Sequence, residues 1–228
     1  MITIHEAKSK QDLKRFVTFP FSLYKNNKYW VPPIINDELE SFDKEKNPVF
    51  KDAEAWFFLA MDGDKIVGRV AAIVNHLEVD QQNVKKMRFG WFDFIDDQNV
   101  SKALLDKVAE IGNQHQLEFM EGPVGFSNLD KVGVLIEGFD HIGTMITWYN
   151  HPYYKDHYES LGFVKEKEYM ENKFPAGNAD PALFTKLNDL VKRRYGLKEV
   201  NFTKTKEVMP LADEMFDLFN ETYANLSS

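Results

Sequence analysis

Tyr154 and Tyr158 stand four residues apart, a spacing that puts both phenols on one face if the segment is helical. The continuation Glu159-Ser160-Leu161-Gly162-Phe163 predicts where that helix closes. Gly162 can turn left-handed at little steric cost, and Phe163-Val164 then opens an extended segment. Asn150, Tyr153 and Tyr154 are side chains that could orient a polar substrate by hydrogen bonding. For Tyr154 the plainer alternative is a core aromatic with its hydroxyl at the surface. The six histidines are His5, His76, His115, His141, His151 and His157, and cysteine is absent. Without cysteine there is no thiolate nucleophile, disulfide or Cys-ligated zinc. None of the histidines forms an HxH or HExxH pattern, and His151 and His157 fall on different faces of a helix. No metal is therefore expected, and a metal-dependent hydrolase is the least favoured chemistry.

These side chains need a scaffold. The 228 residues are 43% apolar, enough for a full core in one large or two small domains. There is no uncharged apolar run of membrane-spanning length, and Met1-Ile2-Thr3-Ile4-His5 lacks the basic start of a secretory signal. The expectation is a soluble, cytoplasmic protein. A net charge of -8 argues against nucleic acid or an anionic membrane as partner. A small molecule is the expected partner, with a homodimer as a further expectation.

Read along the chain, strands and helices alternate. Ile2–Glu6 reads as a strand, followed by a helix from Ser9 that breaks at Pro20. Trp30-Val31-Pro32-Pro33 is an extended link into a short helix carrying Ile34, Ile35 and Leu39. Ala55–Met61 and Lys65–Asn75 are strands joined by Asp62-Gly63-Asp64, a hairpin signal. Met87–Ile95 is the next strand. Asp97 or Asn99 caps a helix carrying Val100, Leu104, Val108 and Ile111, and Leu117–Glu121 returns as a strand. This strand-helix-strand unit predicts a parallel pair inside a hairpin-built sheet.

Element order and the closing Tyr158-Glu159-Ser160-Leu161-Gly162-Phe163 run resemble the GNAT-type N-acetyltransferase superfamily over residues 1–174. The resemblance implies an α+β fold: a mixed, mostly antiparallel sheet, a central parallel pair splayed at a cofactor cleft, and helices on both faces. It also implies acyl-CoA as co-substrate and Tyr158 as the acid that protonates the leaving thiolate. The donor would lie along Phe94 and Ile95 and against the helix start at Val100, Ser101, Lys102 and Ala103, where a helix dipole attracts phosphate. The chain departs from the family at this point. Asp96-Asp97-Gln98-Asn99 replaces the usual Gly-rich phosphate cradle, and two carboxylates repel a diphosphate.

A second set of segments, Glu121-Gly122-Pro123-Val124-Gly125-Phe126-Ser127, Leu135-Ile136-Glu137-Gly138-Phe139-Asp140 and Tyr149-Asn150-His151-Pro152-Tyr153-Tyr154, resembles a little-characterised bacterial subgroup of GNAT-like proteins, some labelled cyclohydrolase. The stretch 122–146 is long for a connection. It is expected either to shape an acceptor pocket, with Ser127, Asn128, Glu137 and Asp140 as polar candidates, or to pack for stability alone. Acyl transfer to an amine needs a base, an oxyanion donor and an acid. Glu121, at a strand end, is the candidate base, and capping the following turn is its alternative role. The resemblance implies acyl-CoA-dependent N-acyl transfer, such as acetyl transfer, to a small-molecule or peptide amine by direct attack on the thioester, and the alternative is an inactive GNAT-like ligand-binding or scaffold module.

Residues 175–194 read as a linker and an amphipathic helix. Leu197–Phe202 reads as a strand and Val208–Tyr223 as a helix, repeating the way the chain begins. The expectation is that 195–228 starts a second GNAT-like half and that the sequence is truncated within it.

Overall fold

β1 (Ile2–Glu6), β2 (Ala53–Asp62), β3 (Lys65–Asn75), β4 (Lys86–Phe94) and β5 (Phe119–Glu121) pair side by side in chain order in a computed structural model, which describes residues 1–127, 130–175, 177 and 180–223. The first four strands are antiparallel, and β4 and β5 are parallel. The helices are α1 (Lys10–Leu23), α2 (Ile35–Ser41), α3 (Gln98–Gln114), α4 (Tyr154–Ser160), α5 (Pro181–Tyr195), α6 (Thr205–Val208) and α7 (Ala212–Tyr223). The chain divides into two compact units, Met1–Glu171 and Asn172–Ser228.

The sheet is buried on both faces, which is why β3 and β4 read as near-continuous apolar runs instead of alternating ones. On one face Phe58, Val70, Ala72, Val74, Met87 and Phe89 pack with Val100, Leu104 and Val108 of α3 and with Tyr154 and Tyr158 of α4. On the other, Phe57, Leu59, Ala71, Ile73 and Trp91 pack with Phe16 and Val17 of α1 and with Phe42 just past α2. Thus helices cover both faces, as expected.

One expectation about the sheet needs correction. The parallel pair lies at the edge of the sheet and not at its centre, because no strand forms between Phe163 and Phe174 to pair beyond β5. The pairing of β5 with β4 lasts only from Lys86↔Phe119 to Arg88↔Glu121. Gly122-Pro123, a cis peptide bond, then carries the chain away, and Val164, Tyr169, Met170 and Phe174 are left exposed. β4 and β5 part nonetheless: their pairing ends at Arg88↔Glu121, and β4 runs on to Phe94 with no strand on that edge among the described residues.

α1 starts where expected, with Ser9 capping the Asp12 N–H, but does not break at Pro20. It continues to Leu23, and the Pro20 carbonyl accepts from the Tyr24 N–H. Proline lacks the N–H that would bond the carbonyl four residues back. That carbonyl, on Phe16, instead accepts from Arg69 Nη1 at 2.9 Å. A tertiary bond therefore replaces the missing helical one.

In the second unit, Asp180 caps α5 and Gly196 ends it at φ 64°. Leu197–Phe202 forms no strand, so the expected strand-helix repeat is not formed there. Every described residue of α5, α6 and α7 is at least partly exposed, including Phe184, Leu190, Phe216 and Leu218. Among the described residues of the unit no strand neighbour and no buried core hold an extended segment.

Candidate functional site

The sheet ladder between β3 and β4 slips beside the splay. Arg69 pairs with Asp93 and Ala71 with Gly90, so Trp91 and Phe92 together oppose a single residue of β3. This is a β-bulge, and Trp91 takes φ 45° within it. A bulge bends the strand and re-aims its side chains. Here it presents Phe92 and Asp93 to a small cavity also lined by Pro123, Val134, Asn150 and Tyr154. The cavity holds about 10 Å³, room for roughly one water.

Asp93 is the centre of a buried polar network. Arg69 donates from Nε at 2.8 Å and from Nη2 at 2.7 Å to Oδ2. The Tyr24 hydroxyl donates to Oδ1 at 2.7 Å, and the Tyr154 hydroxyl lies 3.1 Å from that of Tyr24 and 3.3 Å from Oδ1. Tyr154 in turn accepts from the Phe94 N–H at 3.1 Å, and the Tyr153 hydroxyl donates to the Phe94 carbonyl. The backbone of Phe94 on the splayed side is thus satisfied by two tyrosines of the α4 segment. Burial, and after it the Asp93 charge, holds Tyr24 and Tyr154 well above the ordinary phenol pKa. Tyr153 is raised by burial first and then by the charges of Asp96 and Asp93.

Tyr158 lies one helical turn on from Tyr154, on the same buried face. Its ring stacks on Phe89 at 6.2 Å and meets Phe92 edge-on at 5.7 Å and Phe163 at 5.5 Å. Its hydroxyl is the one buried side-chain polar atom without a hydrogen-bond partner among the described residues. Burial, then the Asp93 charge, raises its pKa well above 10. It therefore keeps its proton at any ordinary pH, which suits an acid and not a base. A buried hydroxyl left unpaired costs about 1–3 kcal/mol.

The start of α3 is closed by the chain's own groups. Asp97 caps it, accepting from the Asn99 N–H at 2.8 Å. Asp96 sits 3.0 Å from His157 Nε2, and the other ring nitrogen of His157 is 2.8 Å from Ser101 Oγ. Val100 and Ser101 are fully buried, Ala103 is partly buried on α3, and Lys102 pairs with Asp106 at 2.6 Å. Ile95 packs against the core with its N–H on the Val67 carbonyl. Of the expected donor-binding residues, then, Phe94 alone borders the tyrosine network. The α3 residues offer no free cradle for a diphosphate.

The remaining expected residues scatter. Glu121 is held by Lys86 at 2.7 Å, and Lys86 also reaches Glu78 at 2.9 Å. A carboxylate in that pair is an ion-pair partner, not a free base. Asn150 is buried and saturated: it accepts from the Leu135 N–H at 2.6 Å and donates to the carbonyls of Leu135 and His151. It fastens the 122–153 stretch in place and does not reach for a substrate. Ser127 bonds Asp130, while Glu137 and Asp140 are exposed, the latter paired with His141 at 2.7 Å. Asn128 lies outside the described residues. Among the described residues no three His, Asp or Glu side chains gather as a metal site.

Asp93, Arg69, Tyr24 and His157 were missed by reading the sequence. The signal was there for two of them: charges inside the apolar runs, Arg69 in β3 and Asp93, with Arg88, in β4, which folding tolerates only when the charges pair.

Fold and site together define a mixed-sheet α+β domain with a strand splay, a bulged strand and an orphaned buried phenol beside it. No protein-family model matches the chain. It is 30% identical over 213 residues to Protein YghO of Escherichia coli, covering 92% of this chain and 54% of that protein. It is 26% identical over 178 residues to the bacterial ceramide synthase of Caulobacter vibrioides, covering 75% of this chain and 45% of that one. The chain thus spans about half the length of the curated relatives it matches. Similar solved structures include a predicted acetyltransferase with acetyl-CoA from Clostridium acetobutylicum, 11% identical, TM-score 0.47, covering 76% of this chain and 96% of that one. Another is an aminoglycoside acetyltransferase from an uncultured soil sample, 13% identical, TM-score 0.46, covering 76% and 95%.

Proposed function

We propose that residues 1–171 form an N-acyltransferase domain of the GNAT type, moving an acyl group from a pantetheine thioester such as acyl-CoA to a primary amine. The observation that carries it is the unpartnered Tyr158 hydroxyl beside the splay of β4 and β5. When the amine nitrogen bonds the thioester carbon and the carbon–sulfur bond breaks, the departing thiolate needs a proton. Tyr158 holds one at any ordinary pH. The ammonium must also lose a proton, which passes to solvent before attack; Asp93 is not assigned the role of acceptor, because Arg69 holds its carboxylate at 2.8 and 2.7 Å. Glu121 is not assigned that role, because Lys86 neutralises it. The thioester end of the donor fits the residues present; Asp96 and Asp97 give its diphosphate no cradle.

The name of the Caulobacter relative supports an amide-forming reaction on a long-chain amine, since a ceramide is an N-acylated long-chain base. The test is turnover with acyl-CoA donors and aliphatic amines, for the protein and for Tyr158→Phe. The proposal expects amide product and a fall in kcat of about 10²–10⁴-fold in the variant, with folding intact. Product formation equal in both forms overturns the role of Tyr158. An inactive ligand-binding module is favoured by the capped start of α3 and by the water-sized cavity, and that reading expects ligand binding without product in either form.

A further inference from the structure

Charge is unevenly spread along this acidic chain. Residues 7–36 carry Lys8, Lys10, Lys14, Arg15, Lys25 and Lys28 against the single carboxylate of Asp12, although the net charge of the whole is -8. Lys8 pairs with Glu6 and Arg15 with Asp12, whereas Lys10, Lys14, Lys25 and Lys28 are exposed. Of the carboxylates on α1 and α2, Asp12 bonds Ser9, Glu38 accepts from Trp91 Nε1 and Glu40 pairs with Lys46, which leaves Asp37. Beside these lysines the link between the two helices projects apolar side chains. Val31 is 59% and Ile34 69% exposed, with Pro32 exposed next to them. Lys14 lines the same open groove as Phe21, Pro32, Pro33 and Ile34, so cation and apolar surface adjoin.

The link is held in this shape. Asn27 Oδ1 accepts from the Tyr29 and Trp30 N–H groups at 2.9 and 3.3 Å, and the Trp30 ring meets Phe21 at 5.2 Å and Tyr24 at 5.3 Å. Pro32 and Pro33 fix the backbone that follows. Ile34 is also the N-cap of α2 and gives that helix no side-chain hydrogen bond, at a position where Asn, Asp or Ser would stabilise it. An isoleucine there serves neither the core nor the helix. We propose that the exposed link 31–34, with Lys14, Lys25 and Lys28 beside it, docks the protein peripherally on an anionic lipid bilayer. Apolar side chains enter the acyl boundary while the lysine stems lie along it and their ammonium groups meet phosphates. Nucleic acid would match the lysines but give Val31 and Ile34 nothing to bury against. An uncharged apolar partner would leave the lysines unmatched. The inference does not depend on the N-acyl-transfer reading.

Flotation of the whole chain with vesicles tests this without needing turnover, using phosphatidylcholine alone and phosphatidylcholine mixed with phosphatidylglycerol. Binding is expected to the mixed vesicles, weakened by added salt, and far less to phosphatidylcholine. Lys14→Gln, Lys25→Gln and Lys28→Gln should each lower the partition coefficient about fivefold. Ile34→Asn keeps the net charge and supplies α2 with a favoured cap, so folding is preserved; it should lower partitioning about tenfold, and Val31→Asn should act in the same direction. No binding to the mixed vesicles overturns the inference. Binding that survives these substitutions belongs to another face, such as the exposed apolar stripe of α5, and overturns it equally. Binding that the lysine variants weaken but Ile34→Asn and Val31→Asn leave intact, matched by binding to a duplex oligonucleotide, marks a polyanion contact in place of a bilayer and overturns it as well.

Discussion

Tyr158 is located by rings and not by hydrogen bonds, and its energetics differ accordingly from those of Tyr154 one turn earlier. Tyr154 touches Asp93, Tyr24 and the Phe94 N–H, so Tyr154→Phe removes a shared hydroxyl and strands partners in a buried site. A loss of about 1–3 kcal/mol is expected by chemical denaturation. Tyr158→Phe removes an unpaired hydroxyl and should leave stability unchanged or raise it by a similar amount, while turnover falls. A destabilised Tyr158→Phe protein would mean that the hydroxyl has a structural partner. Asp93→Asn breaks the buried pair with Arg69 and is expected to cost about 3–5 kcal/mol. The pKa directions of Tyr24, Tyr154 and Tyr158 add a pH dependence. All three are raised in the fold, so their contribution is complete below the unfolded phenol value of about 10 and is lost as pH rises beyond it. Tyrosinate absorbance should show these phenols ionising only with alkaline unfolding.

Among the elements, β4 decides the most. The segment after β5 crosses it so closely that a Cβ on Gly90 would strike the Val124 carbonyl and one on Gly122 the Phe89 carbonyl. The Val124 N–H bonds that Phe89 carbonyl at 2.8 Å. Gly90→Ala should therefore push the 122–126 crossing off β4, lowering the melting temperature and disturbing the cavity together. Retention of both would refute the close approach. The start of β4 carries a second buried network, in which Glu78 binds Arg88 through two bonds of 2.7 and 2.6 Å and Lys86 at 2.9 Å. Burial raises the Glu78 pKa, but the bonds from Arg88 and Lys86 outweigh it and the net shift is downward. A depressed carboxylate stabilises above its unfolded value of about 4.3 and loses that contribution as pH falls through the folded one. Glu78→Gln should be less stable at neutral pH, with the difference from the parent shrinking in acid; a pH-independent difference would exclude this linkage.

At the scale of the whole molecule the two units differ in kind. Residues 1–171 hold a sheet with both faces buried, and the described helices of the second unit bury no side chain within it. Hydrogen exchange should separate them. Amides of β2, β3 and β4 should exchange only on global unfolding, and those of α5 and α7 at far lower free energy. Comparable protection in both would contradict the burial just described. Among the described residues, no helix is long and apolar enough to cross a membrane.

Much of this was legible in the order of residues. β-rich apolar runs placed β2, β3 and β4, and period-3.6 patterning placed α3, to within about two residues, Asp62-Gly63-Asp64 gave the hairpin, and Ser9, Asp97 and Gly162 punctuated their helices because capping and left-handed turns are local chemistry. The spacing of Tyr154 and Tyr158 fixed a shared face for the same reason. What the tertiary structure alone decided were the pairings between distant segments. Pro20 looked like a helix end until Arg69, 49 positions on, took the carbonyl that it frees. Glu121 looked like a base until Lys86 met it across the parallel pair. Asp93, Arg69, Tyr24 and Tyr154 form one network because four separate elements bring them together, and no local preference encodes a contact of that range.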